Sequence, residues 1–230
     1  MEEKKKIAIA IDGPAAAGKS TVATRVAEIL GFTYIDTGAM YRAFTYAVIK
    51  KGLDPTNEQQ SCLVIPEVDI TLTPDHRVFC NGEDVSEVIR TPLVSSQVSY
   101  IASYKDIRIA LVKLQQKMAE KDSVVMDGRD IGTNVLPNAE VKIYLLADFN
   151  TRVMRRFEEN IGKKLEVPYG DVAYELFLRD RIDSTRDFAP LKAAPDSIYI
   201  YSTPSSKIED VVEAILEKVH QKTGMEIPCH

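Results

Sequence analysis

Apolar positions along the 230-residue chain fall into two kinds of run. Ile7-Ala8-Ile9-Ala10-Ile11, Val124-Val125-Met126 and Val141-Lys142-Ile143-Tyr144-Leu145-Leu146 are short and nearly continuous, as strands covered on both faces should be. Thr33-Tyr34-Ile35, ending at Asp36, and Ser197-Ile198-Tyr199-Ile200-Tyr201 bring the expected strands to five. Between them the apolar spacing becomes helical. Val22, Val26, Ile29 and Leu30 precede a stop at Gly31, and a helix from about Ala39 to Lys51 ends at Gly52-Leu53-Asp54-Pro55. Ile107, Ala110, Leu111, Leu114 and Met118 predict a helix over Asp106 to Lys121. Further helices are expected around Arg152, from Asp171 to about Thr185, and through Ile208, Val211, Val212, Ile215 and Val219. Gly162 to Gly170 and Asp187-Phe188-Ala189-Pro190 read as irregular.

Strands alternating with helices imply a parallel sheet covered on both faces. One region departs from this pattern. Val68-Asp69-Ile70-Thr71-Leu72 alternates strictly, Arg77-Val78-Phe79-Cys80 follows, and Asn81-Gly82 is a hairpin signal before Asp84-Val85. Residues from roughly 63 to 100 are therefore expected to form a small antiparallel insertion on an α/β core. No internal repeat or low-complexity segment is present.

The first strand runs into Gly13-Pro14-Ala15-Ala16-Ala17-Gly18-Lys19-Ser20-Thr21, a G-x-x-x-x-G-K-S-T phosphate-binding loop (P-loop) followed by a helix. Backbone N–H groups of such a loop wrap a phosphate chain, and the helix N-terminus adds partial positive charge. Gly13 and Gly18 allow close approach and positive φ, Lys19 should reach the β/γ-phosphates, and the Ser20 hydroxyl should ligate Mg²⁺. Ligands of open α/β sheets sit at the carboxyl ends of the strands. There Asp127, closing an apolar strand, either orients Mg²⁺ or makes a turn with Gly128.

Twenty-nine basic and 34 acidic residues give a net charge of −5, which argues against a binder of polymeric nucleic acid. A polyphosphate ligand would then need locally clustered arginines. Cys62, Cys80 and Cys229 form no disulfide framework, and His76, His220 and His230 are scattered, so a zinc site is not expected. Met1-Glu2-Glu3-Lys4-Lys5-Lys6 leads directly into a strand, leaving no room for a signal peptide, and no apolar run is long enough to cross a membrane. A cytoplasmic location and a monomer are the expectations.

Arg179, Asp183 and Arg186 would lie within about 60° of one helical face, with Arg181 pointing away. They form either a solvated ion-pair ladder or part of a mobile cover that excludes water and brings arginines to a transferring phosphoryl group. Arg152, Arg155 and Arg156 either contact a donor nucleotide or face solvent, with solvent expected for at least one. There is no N-K-x-D guanine reader, and Gly128, not a water-activating Glu, follows Asp127. Transfer to a bound acceptor fits better than hydrolysis.

Several motifs together resemble the bacterial cytidylate (CMP) kinases, nucleoside monophosphate (NMP) kinases with a P-loop NTPase fold. They are Ile11-Asp12-Gly13-Pro14 with the loop, Asp36-Thr37-Gly38-Ala39-Met40-Tyr41-Arg42, and Gly82-Glu83-Asp84-Val85 with Ile89-Arg90-Thr91. Asp127-Gly128-Arg129-Asp130-Ile131-Gly132-Thr133 and Arg179-Asp180 through Asp183, Arg186 and Ala189-Pro190-Leu191 complete the set. The resemblance implies an adenylate-kinase-like core at about 1–38, 104–158 and 191–230, an NMP-binding region with the insertion at about 39–103, and a lid at about 159–190. It also implies transfer from ATP, with Mg²⁺, to CMP or dCMP. On the same ground Arg42, Arg129 and Arg186 would hold the acceptor phosphate. Ser99, Arg108 and Asp130 would read cytosine, Arg179 and Asp183 would contact ribose, and Thr37 would belong to the acceptor site. Tyr41 packs either on the ligand or in the core. Lys19, Arg129, Arg179 and Arg186 would carry the charge of transfer. The alternatives are a UMP/CMP or shikimate kinase type on the same core, or a nucleotide-binding module without turnover.

Overall fold

The structure is a computed structural model and describes residues 6–228, so Met1–Lys5, Cys229 and His230 lie outside it. The central sheet has five parallel strands: β1 (Ala8–Asp12), β2 (Thr33–Asp36), β6 (Val124–Gly128), β7 (Val141–Leu146) and β8 (Ile198–Tyr201). Their order is β2-β6-β1-β7-β8. Helix α1 (Lys19–Leu30) links β1 to β2, yet β6 lies between them, which leaves a crevice above their carboxyl ends. Register aligns those ends: Asp12 is opposite Gly128, and Asp36 is opposite Asp127.

The two-residue period of the strands divides the core. Ile9 and Ile11 pack with Val22, Val26, Ile215 and Val219 of α1 and α8 (Ile208–Thr223). Ala10 and Met126 point to the other face, with Met40 and Phe44 of α2 (Thr37–Lys50). Ile107 and Leu111 of α5 (Lys105–Ala119) close that face. Val153 of α6 (Phe149–Gly162) and Val172 and Leu176 of α7 (Tyr169–Thr185) pack against Ala15 in a smaller apolar cluster. The phosphate loop therefore rests on these helices.

The antiparallel insertion is present but shorter than its sequence suggests. β3 (Ile70–Leu72), β4 (Val78–Cys80) and β5 (Glu83–Asp84) form a separate three-stranded sheet, turned at Asn81-Gly82. The region from 63 to 100 also contains a 3₁₀ turn at Val88–Arg90, and α4 (Pro92–Ile101) overlaps its end. Helix α3 (Glu58–Cys62) precedes it. Val94, Val98 and Ile101 are the buried stripe of α4, and Pro92 opens it at a position that needs no N–H. Helix α2 begins at Thr37, earlier than expected, because the Asp36 side chain caps it by accepting from Ala39 N at 2.8 Å. The turn at Ile131–Val135 is π-helical, which no local pattern announced. β8 is an edge strand: Ile198 and Ile200 are half-buried, while Tyr199 and Tyr201 are exposed. Cys62 and Cys80 are free thiols, and no helix among the described residues is long and apolar enough to cross a membrane.

Candidate active site

The phosphate loop connects the end of β1 to α1. Gly13 has φ 151°, and a Cβ there would stand 2.1 Å from the Leu145 carbonyl oxygen, so no side chain fits. Gly18, at φ 94°, caps α1. Pro14 is buried, and Ala15, Ala16, Ala17, Gly18, Lys19, Ser20 and Thr21 line the cleft above. Lys19 is buried and its Nζ donates to Pro14 O at 2.7 Å. Burial, with Arg129 nearby, pulls the Lys19 pKa well below its usual range, and a bound anion would reverse that pressure.

Two of the three arginines on α6 hold this loop from behind. Arg152 donates to Ala15 O at 3.1 Å and pairs with Asp180, which in turn accepts from Ala15 N at 3.1 Å. Arg155 donates to Ala17 O at 3.3 Å and to Ser202 Oγ at 2.7 Å. Arg156 lines the cleft and pairs with Glu159 at 3.3 Å. The expectation that at least one of these faces solvent is corrected, since each is buried or half-buried. The sequence shows that they share a helix but not that its first turns lie against the loop.

On one side of the loop, Ser20 Oγ donates to Asp127 Oδ2 at 2.9 Å, and Tyr34 OH donates to Asp127 Oδ1 at 2.9 Å. Thr37 Oγ1 reaches the Asp127 backbone carbonyl at 2.7 Å. Burial, reinforced by the Asp36 carboxylate, pushes Asp127 up to about 6. A hydroxyl and a carboxylate in contact suit a hard cation that takes its remaining ligands from phosphates and water. Among the described residues no group of three acidic, His or Cys side chains offers a fuller cage.

Opposite stands the arginine cluster. Asp130, two residues beyond β6, accepts three hydrogen bonds on its carboxylate, from Arg108 Nη2 at 2.6 Å, Arg186 Nη2 at 3.1 Å and Asn134 Nδ2 at 3.1 Å. Arg108 and Arg186 share the Ala102 carbonyl, at 3.0 and 3.2 Å. Arg129 Nε donates to Asp183 at 2.9 Å. Burial pushes Asp183 up, but Arg129, Arg179 and Arg186 outweigh it and hold the carboxylate below its usual range. Tyr41 is buried in the core with its ring 5.3 Å from the Arg108 guanidinium, and it also lines the cleft. Ser99 lines the cleft from α4, whereas Ser95, one turn earlier, accepts from Arg42 at 3.3 Å.

Two of these arginines differ from the rest. Among the described residues, Arg42 and Arg179 have no carboxylate within ion-pair distance, and Arg179 Nε is buried without a hydrogen-bond partner. Burial, followed by the repulsion of neighbouring guanidinium groups, lowers Arg179 to about 9; burial likewise lowers Arg42 to about 10. The shared-face expectation needs one correction. α7 ends at Thr185 and Arg186 is extended, at φ −64° and ψ 141°, so Arg186 reaches the cluster from the C-cap rather than from the helix face. Loop and cluster share one cleft of about 330 Å³. It also includes Asp36 and Arg90, which belong to the quoted motifs without an assigned role, and Lys163, which lies in none of them.

The cytidylate kinase family profile matches residues 9–221. The cytidylate kinase of Bacillus subtilis (strain 168) is 52% identical over 223 residues, covering 96% of this chain and 99% of that protein. The one from Geobacillus kaustophilus is 48% identical over 224 residues, covering 96% and 100%. A crystal structure of an uncharacterized protein from Eubacterium ventriosum shares the fold at a TM-score of 0.52, with 16% identity over 94% of this chain and 99% of that one. Together with a phosphate loop facing a cluster of arginines, the match over nearly the whole length assigns this chain to the cytidylate kinase family.

Proposed function

We propose that the protein transfers the γ-phosphoryl group of ATP to CMP and dCMP, giving CDP and dCDP. Beyond family membership, the observation that carries this reading is the pair of half-buried arginines, Arg42 and Arg179, that have no carboxylate within ion-pair distance and face the phosphate loop across one cleft. Such groups lack a counter-ion, and a phosphate dianion supplies one. On this reading ATP lies along Gly13–Thr21 with Lys19 at its β/γ end, and CMP enters from the arginine side. Arg42, Arg129 and Arg186 take the acceptor phosphate, while Arg179 faces the transferring phosphoryl group and, with Asp183, meets the ribose.

Ser99, Arg108 and Asp130 read the base, with Thr37 and Tyr41 at the edge of that site. Arg108, Arg186 and Asn134 occupy three acceptor positions of the Asp130 side chain, and the one left over can accept from the cytosine 4-amino group. Uracil has a carbonyl at that ring position and would leave a buried acceptor unpaired, which disfavours UMP.

Little proton transfer is required, because the attacking phosphate oxygen is already ionised near neutral pH. Lys19 and the arginines align the two anions and neutralise charge as it spreads over the transferring group. Ser20 and Asp127 fit Mg²⁺, which when bound would supply further neutralisation of the phosphate chain. Residues 159–190 serve as the lid and 39–103 as the acceptor-binding region. The protein works as a monomer in the cytoplasm, on small-molecule substrates. A coupled ADP-release assay across CMP, dCMP, UMP, AMP and shikimate tests the reading. Turnover is expected with CMP and dCMP. Equal or faster turnover with UMP or shikimate would overturn it, as would ATP binding with no ADP release on adding CMP.

A further inference from the structure

The last residue of β1, Asp12, precedes the phosphate loop and is almost fully buried. Its side-chain hydrogen bonds go elsewhere than to that loop. Oδ1 accepts from Ile131 N and Oδ2 from Gly132 N, each at 2.8 Å, across about 120 residues of sequence. These are the first two amides of the π-helical turn Ile131–Val135, donors that any helix start leaves unsatisfied. The same turn bonds back to Asp130, whose carbonyl accepts from Asn134 N at 2.9 Å and Val135 N at 3.3 Å. Arg129 and Asp130 lie immediately before it. A π turn is rarely stable by itself, so its position depends on an outside grip.

A buried carboxylate is costly unless it is fully hydrogen-bonded, and here two charge-assisted bonds offset the cost. Burial still pushes the Asp12 carboxyl up to about 7. Lys19 and Asp130 are the charged groups acting on it. An apolar residue would fill the space more cheaply, and the carboxylate's distinctive contribution is its bidentate hold on two consecutive amides.

We propose that Asp12 is a positioning residue: it ties the strand that ends in the donor loop to the turn that carries Arg129 and Asp130, and so fixes the acceptor half of the site against the donor half. The inference rests on the reading of Arg129 and Asp130 as acceptor-binding groups. Asp12→Asn keeps the shape but turns an amide NH₂ toward one of the two backbone donors. With one charge-assisted bond lost and the other weakened, KM for CMP should rise about tenfold while KM for ATP stays within about twofold. Amide hydrogen exchange at Ile131 and Gly132 should accelerate, with α1 unchanged. Gly132→Ala perturbs the same contact from the other side. Its Cβ would lie 3.1 Å from Lys142 Cδ and 3.5 Å from Asp12 Oδ2, so a weaker version of the same signature is expected. It also carries the test should Asp12→Asn fail to fold.

Equal rises in both KM values, or unchanged exchange at 131–132 in a folded variant, would overturn the proposal. Exchange is measured on the protein without substrate. If the wild type did not phosphorylate CMP, the functional reading would fail while the exchange result still decided whether the clamp exists.

Discussion

Arg179→Met makes the sharpest prediction, because stability and activity should move in opposite directions. In the free protein, burial together with Arg42 and Arg129 brings the Arg179 guanidinium from its ordinary 12.5 to about 9, even with Asp183 nearby. At roughly 1.4 kcal/mol per tenfold, keeping that group charged at pH 7 costs the fold a few kcal/mol. Partial solvent access and relaxation of neighbouring arginines reduce what a substitution recovers to about 1–3 kcal/mol. Methionine retains most of the apolar stem and removes the charge. Asp183 keeps Arg129 at 2.9 Å and Arg186 at 3.9 Å, so it is not stranded. Melting of the ligand-free variant should therefore rise by about 2–12 °C, given a shift of some 2–4 °C per kcal/mol for a chain of this size. Turnover with CMP should fall by about 10²-fold or more, as expected when a charge facing the transferring group is lost. CMP should raise Tm of the wild type and have much less effect on the variant. A variant that melts lower and phosphorylates CMP normally would refute the reasoning, because Arg179 would then be a structural cation already satisfied in the free protein.

Three further outcomes follow from the same geometry. Tyr34→Phe removes one of two hydrogen bonds fixing the Asp127 carboxylate and should raise the Mg²⁺ concentration for half-maximal activity about tenfold; an unchanged Mg²⁺ titration contradicts the assignment. Asp130→Asn leaves Arg108 and Arg186 without their shared counter-ion, so it should destabilise by about 3–5 kcal/mol and narrow the preference for CMP over UMP, read by denaturant titration and competition kinetics. Asp12, raised from 3.8 to about 7, binds a proton in the folded state that the unfolded chain has released, so its contribution to stability is largest near pH 4 and is lost as pH rises to about 7. Wild type should accordingly lose a few kcal/mol relative to Asp12→Asn between those limits and none above, as denaturant midpoints across pH would show.

Local signals in the sequence sufficed for the strands of the core, the phosphate loop and the hairpin at Asn81-Gly82. In each, the residues that specify the element are adjacent. Helix α4 was legible in principle: Thr91-Pro92 and the spacing of Val94, Val98 and Ile101 mark it, but the strand signals before it drew the whole region into the insertion. The contacts that assemble the site were not legible. Tyr34 meets Asp127 across 93 positions, and Arg152 reaches the loop across 137. Such partners are set by strand order, which interposes β6 between β1 and β2. The π turn and its hold by Asp12 are hidden for the same reason. The unpaired state of Arg42 and Arg179 is harder still to foresee, because it depends on which acids the other arginines have already taken.

The central claim is that two anionic nucleotides meet end to end with water excluded. Following the label from γ-³²P-ATP after adding enzyme, Mg²⁺ and CMP tests it most directly. The account predicts that the label passes into CDP, with almost none in inorganic phosphate and almost no ATP consumed when CMP is omitted. Label released as inorganic phosphate at a similar rate with or without CMP would contradict it.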